Sequence, residues 1–164
     1  GGDPKMINVS IVLYNTPEDM LEKCLNSVIK SNNILFKIFL IDNSSQNILS
    51  KFKKYNNIEY IFNNANLGFG KGHNIALRKS IEENISYHLV LNPDVYFDEG
   101  VLEELYDFME KNPDVGLVMP KVLYPNGEIQ YLCKLLPTPF DLFGRKFLNF
   151  GPFKNYIENK KRKF

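Results

Sequence analysis

Three short stretches hold residue types suited to chemistry. "DNSS" starts at Asp42, "NNANLGFGKGHN" runs from Asn63 to Asn74, and "NPD" runs from Asn92 to Asp94. In the second, Gly68, Gly70 and Gly72 alternate with Phe69 and Lys71. Glycines so placed allow the main chain to approach a ligand closely, and a lysine among them suits a phosphate. Established phosphate fingerprints are not met. GxGxxG would need a glycine at His73, and a P-loop would need Ser or Thr where Gly72 stands. Neither a dinucleotide-binding dehydrogenase nor a P-loop NTPase is supported.

Asn92-Pro93-Asp94 follows an apolar run directly. A carboxylate there could hold Mg²⁺ or Mn²⁺ bridging two phosphates, since both ions favour oxygen ligands and retain waters. As an ordinary proline-containing turn, the same residues would bond to backbone amides instead. This motif alone leaves both readings open.

The elements that must position these residues follow from hydrophobic periodicity. "INVSIVLY" (Ile7 to Tyr14), "LFKIFLI" (Leu35 to Ile41), "IEYIF" (Ile58 to Phe62) and "YHLVL" (Tyr87 to Leu91) predict strands. The first is expected to be buried on both faces. After it, Thr16 is expected to cap a helix with Pro17 at the first helical position; its inner face would be Leu21, Cys24, Leu25, Val28 and Ile29. A short helix precedes the third strand. A helix from about Asn74 to Glu83 carries Ile75, Ala76, Leu77 and Ile81. Asp98 is expected to cap another, with inner face Val101, Leu102, Leu105, Phe108 and Met109. "VGLVMP" and "EIQYL" flank the turn "YPNG" as a strand and a hairpin arm.

Strands alternating with helices predict an α/β fold with a mostly parallel central sheet flanked by helices. In such sheets ligands bind beyond the carboxyl ends of the strands. "YN", "DNSS", the glycine stretch and "NPD" all fall there. One polar turn would carry no weight, since Asn, Asp, Ser and Gly suit turns anyway; four at one edge favour a site.

Composition narrows the class further. The 164 residues suffice for one domain with a core, and 44% hydrophobic and 24% charged residues fit a globular chain. A net charge of +1 gives no overall attraction to nucleic acid, and Lys160, Lys161, Arg162 and Lys163 read as a solvated tail. Cys24 and Cys133 form no CxxC pair, which argues against zinc and a disulfide framework. No apolar run approaches the ~18 residues that cross a bilayer. A reduced, cytoplasmic setting is the expectation. Residues 1–5 precede Met6 and read as an expression remnant, 6–139 as the folded domain, and 140–164 as an aromatic and basic extension.

"VSIVLYNTPEDMLEKCLNSV", "LIDNSS", "NANLGFGKGHNIAL" and "LVLNPDVYFDEGVLEEL" together resemble the family 2 glycosyltransferases of GT-A fold, most of all the rhamnosyltransferase-like branch. The resemblance spans roughly residues 7 to 145. It implies an inverting transfer of a sugar, rhamnose in that branch, from a UDP- or dTDP-sugar to a polysaccharide or glycolipid acceptor. It also implies that the glycine stretch floors the donor site, with Asn66 and Asn74 fixing its shape through backbone hydrogen bonds. Tyr14, Asn15, Asp42 and Asn43 would line the base, with Asp42 reading its edge. Gly68, Phe69, Gly70, Lys71 and Asn92 would complete the donor site, and Asp94 would bind Mg²⁺ or Mn²⁺. Asn92 replaces the first Asp of the family's Asp-x-Asp motif, which lowers the expected metal affinity. His73 and His88 are expected to serve packing or to line the donor site.

The family's catalytic base lies in an acidic motif downstream of "NPD", and Glu128, Asp141 and Glu158 do not match it. The expectation is a GT-A domain truncated at its C-terminal side, with no base assigned. The rival reading is a catalytically incomplete nucleotide-sugar-binding module; a nucleotidyltransferase is a weaker third. Phe140, Phe143, Phe147, Phe150, Phe153 and Tyr156 crowd the extension. Such aromatic density suggests packing against further sequence, a homodimer contact, or a peripheral contact with the inner face of a membrane.

Overall fold

The computed structural model describes residues 5–31 and 33–112 in full, and the backbone of 117–123, 128–134 and 148–150. The strands are β1 (Met6–Leu13), β2 (Leu35–Asp42), β3 (Ile58–Phe62), β4 (His88–Leu91), β5 (Leu117–Leu123), β6 (Glu128–Lys134) and β7 (Leu148–Phe150). They form one sheet in the order β3-β2-β1-β4-β5-β6-β7. β3, β2, β1, β4 and β5 run parallel; β6 pairs antiparallel with β5, and β7 antiparallel with β6. The helices are α1 (Glu18–Ile29), α2 (Phe69–Glu82) and α3 (Val101–Lys111); a 3₁₀ helix, Ile48–Lys54, lies between β2 and β3. The expected α/β architecture is present. β7 falls in the aromatic extension and pairs with β6. Phe140, Phe143, Phe147, Phe153 and Tyr156 lie outside the described residues, as do Asp141 and Glu158.

The two faces of the sheet differ. Ile7, Val9, Ile11 and Leu13 of β1 point into an apolar core with Ile38, Leu40, Leu89 and Leu91, covered by residues of α1 and α3. A smaller cluster on the α2 side joins Phe39 and Ile41 to Ala76, with Val12, Ile61 and Ile75 packed on it. Also on the α2 side lie Asn8, Ser10, His73, Ser80 and His88, all buried and polar. β1 is buried on both faces as expected, but one of its faces is half polar.

Several local expectations change. Thr16 does not cap α1: its hydroxyl accepts from the Tyr14 N–H at 3.1 Å, and Pro17 occupies the N-cap with its carbonyl accepting from Leu21. Ile29 is 39% exposed, because it sits about 100° around the helix from Val28. Gly100, at φ 95°, forms the N-cap of α3 in place of the Asp98 side chain. Phe108 is half-buried against the core.

The largest change concerns α2, which starts at Phe69 and not near Asn74. Gly70, Lys71 and Gly72 are therefore helical. Gly72 has a packing reason: a Cβ there would lie 2.7 Å from Val12 Cγ2 on β1. This glycine seats the helix on the sheet.

Candidate functional site

Parallel strands bring the ends of β1, β2 and β4 to one edge, with Leu13 beside Asp42 and Ile11 beside Leu91. Beyond β1 the chain turns sharply at Asn15, whose φ of 50° is left-handed. Its N–H donates to Ser44 Oγ at 2.8 Å, joining the β1 and β2 ends. Between them opens a cleft of about 380 Å³, lined by Asn15, Thr16, Asp42, Ser44, Ser45, Gln46, Ile48 and Leu49. Asn15 and Asp42 therefore share one cavity. Tyr14 is exposed beside it.

Asp42 is buried, and both its oxygens are engaged. Oδ1 accepts from the Ser44 N–H at 3.0 Å, and Oδ2 accepts from the Tyr60 hydroxyl of β3. A carboxylate can accept about four hydrogen bonds, so capacity remains for a ligand donor in the cleft. Burial, followed by the bond to Asp42 and its charge, raises the Tyr60 pKa above its ordinary value, which keeps the phenol a neutral donor. Sequence reasoning missed Tyr60 and Ser44 as partners. The sequence signal for Ser44 was the Asx-type turn in "DNSS"; Tyr60 has none, because only strand pairing brings β3 beside β2.

Asn43 anchors the glycine stretch. Its Nδ2 donates to the Gly68 carbonyl at 3.1 Å, and its Oδ1 accepts from Asn63 Nδ2 at 2.7 Å. Asn66 Oδ1 accepts from the Gly68 N–H at 3.1 Å. Gly68 itself, at φ 86° and ψ 167°, adopts a backbone region essentially closed to other residues. The turn thus delivers the N-terminus of α2 to the carboxyl edge of the sheet. The Gly72 N–H bonds to the Gly68 carbonyl, so the N–H groups of Phe69, Gly70 and Lys71 head the helix with its positive dipole end. Lys71 is exposed there, and Phe69 is largely exposed with its ring edge-on to His73 at 4.4 Å. Asn74 lies in the second turn, half-buried, and its side chain makes no hydrogen bond among the described residues. The expected backbone bond therefore exists for Asn66 and not for Asn74.

Asn92 and Asp94 follow β4. The Asn92 carbonyl accepts from the Val95 N–H at 3.1 Å and from Cys24 Sγ at 3.5 Å, closing a tight turn that leaves Asp94 exposed. Among the described residues no three His, Cys, Asp or Glu side chains gather into a metal cluster. Mg²⁺ and Mn²⁺ often bind through one or two carboxylates plus substrate phosphates. The single carboxylate of Asp94 fits that mode, and an all-protein cage is not built among these residues.

Behind the site lies the buried polar network. Asn8 Nδ2 donates to Ser80 Oγ, and Ser80 Oγ bonds to His88 Nδ1, each at 2.8 Å. His88 Nε2 lies 2.8 Å from Ser10 Oγ, which lies 2.7 Å from His73 Nδ1. Burial lowers the His88 pKa to about 3; burial, with the neighbouring His88, holds His73 well below its ordinary value. Both rings are neutral structural partners.

The sequence matches the family described as Glycosyl transferase family 2 over residues 9–157. Over 122 residues it is 30% identical to the low-salt glycan biosynthesis hexosyltransferase Agl10 of Haloferax volcanii, covering 74% of this chain and 38% of that protein. The fold resembles S. aureus TarS 1–349 with a TM-score of 0.55 at 24% identity, covering 66% of this chain and 34% of that one. A second TarS structure gives the same TM-score and identity, with 20% of its chain covered. The chain thus spans well under half the length of the proteins it matches.

Proposed function

The chain belongs to glycosyl transferase family 2, and on that premise we propose that it is the donor-binding part of an inverting glycosyltransferase using a UDP- or dTDP-sugar. The observation that carries this reading is the Asp42 carboxylate, buried at the cleft between the ends of β1 and β2 and held by Ser44 and Tyr60. A carboxylate only accepts hydrogen bonds. It complements the imide N–H of uracil or thymine.

The diphosphate would then meet the N-terminus of α2, whose dipole and leading N–H groups favour an anion, with Lys71 adding charge. Asp94 would hold Mg²⁺ or Mn²⁺ together with that diphosphate. Such a cation neutralises charge on the leaving group. An acceptor hydroxyl on a glycan or glycolipid attacks the anomeric carbon from the face opposite the departing nucleoside diphosphate, which inverts the configuration. Among sugars, rhamnose is favoured by the branch resemblance. The base that takes the hydroxyl proton is not assigned to any described residue.

Calorimetry with UDP, dTDP, GDP and ADP, with and without Mn²⁺, tests the proposal. UDP and dTDP should bind about tenfold or more tightly than ADP, and Asp94→Ala should abolish the gain from Mn²⁺. Equal binding of ADP would overturn the base assignment. A donor-hydrolysis assay on the same samples separates an active domain from a pure binding module.

A further inference from the structure

The network between α2 and the sheet has a direction. Asn8 Nδ2 can only donate, so Ser80 Oγ accepts from it. The Ser80 hydroxyl makes one other hydrogen bond among the described residues, to His88 Nδ1, and the direction that leaves no buried hydroxyl hydrogen unpaired sends its hydrogen there. His88 then carries its hydrogen on Nε2 and donates to Ser10 Oγ. Ser10 in turn donates to His73 Nδ1, which places the His73 hydrogen on Nε2. The five side chains form a one-way chain from β1 through α2 and β4, back to β1, and out to the first turns of α2.

We propose that this chain makes His73 a positioning residue, which locks the turn from Asn66 to Lys71 at the donor site by fixing α2 against β1 and β4. His73 lies four residues after Phe69, against whose ring its own is set edge-on at 4.4 Å. At Gly72, beside it, an added Cβ would meet Val12, and Gly68 is held by Asn43. Packing alone would fill this space with apolar side chains, as it does around Phe39 and Ile41 on the same face. Directional bonds instead fix how far α2 slides along the strands, because each is made at one register only. β4, which His88 ties into the chain, also leads to Asp94. The chain therefore sets the diphosphate-facing helix end and the metal-facing carboxylate in one frame. The link to the donor rests on the function proposed above; the lock on the turn does not.

Long-range ¹H–¹⁵N spectra of the full chain should show both imidazoles as the Nε2–H tautomer, and an Nδ1–H tautomer at either ring overturns the one-way chain. His73→Asn keeps an acceptor for Ser10 but removes the ring from Phe69, while His73→Phe keeps a ring and removes the acceptor. In either variant the amides of residues 66–71 should exchange about tenfold faster or more, with those of β2 unchanged. Unchanged exchange at 66–71 overturns the lock. If a variant fails to fold, the wild-type tautomers carry the test alone. The UDP Kd should rise about fivefold to tenfold in both variants. Wild-type chain that binds no nucleotide would sink the proposed function and leave the exchange result to decide the lock; wild-type binding matched by both variants would sink the positioning role.

Discussion

The Tyr60 hydroxyl donates to Asp42 Oδ2 from the neighbouring strand, so the carboxylate at the cleft is oriented from outside the cleft. Removing that donor leaves a buried carboxylate oxygen short of one partner, a loss of about 1–3 kcal/mol. Tyr60→Phe should therefore lower the urea midpoint and weaken UDP binding about threefold to tenfold. Asp42→Asn should weaken UDP more than Tyr60→Phe, because it also changes the acceptor presented to the base. Calorimetry of the two variants side by side checks the order; equal losses would mean that Asp42 serves only Tyr60 and Ser44.

Gly72 tests the seating of α2. An added Cβ meets Val12 Cγ2 at 2.7 Å and Cγ1 at 3.2 Å, and Val12 is β-branched and stiff. Gly72→Ala should destabilise the fold by about 1–3 kcal/mol. Val12→Ala in the same chain should recover much of that loss, a coupling readable in a double-mutant cycle of unfolding free energies. Additive losses would show that the clash is relieved elsewhere.

Gly68 should behave differently. Nothing lies within 4 Å of a Cβ there, so Gly68→Ala meets no neighbour and only its backbone is strained. That strain is worth of order 1–3 kcal/mol at this φ and ψ. The turn is expected to relax and release the Asn43 and Asn66 bonds, raising the UDP Kd with little change in the core. Asn43→Ala should mimic it. Amide exchange at 66–71 together with UDP titration checks both.

Much of this was legible in the chain. Four parallel strands and their helices follow from β-branched runs alternating with amphipathic stretches, and the polar turns at the strand ends follow from the topology of such sheets. Two things were hidden for physical reasons. Glycine lowers helix propensity, so "GFGKGHN" reads as loop; tertiary packing of Gly72 on Val12 overrides that and moves the start of α2 to Phe69. The polar network was hidden because its members are far apart in sequence, Ser10 and His88 by 78 positions. One signal was present: within "INVSIV", Asn8 and Ser10 alternate with Ile7, Val9 and Ile11, a period of two that marks a face unlike the other.

The buried histidines predict a particular loss of stability in acid. Both have folded pKa values below the ordinary 6.5, His88 at about 3, because burial disfavours the charged ring. Above pH 6.5 neither the folded nor the unfolded chain protonates them, and the full stability is present. As pH falls below 6.5 the unfolded chain takes up protons that the fold refuses. Stability should then fall by up to about 1.4 kcal/mol per pH unit for each histidine. The His88 contribution levels off only near pH 3, where the folded ring itself protonates. Carboxylates act lower down. Glu110, held below its ordinary 4.5 first by Tyr106 and then by Tyr87, loses its favourable contribution only as pH drops past that value. The window from pH 6.5 to 5 therefore isolates the histidines. Urea midpoints measured at intervals across it should decline steadily, and the two imidazole ¹⁵N signals of the folded chain should stay in their neutral positions throughout. A flat stability profile, or a histidine that titrates near 6.5 in the folded chain, would mean that burial does not hold the rings neutral.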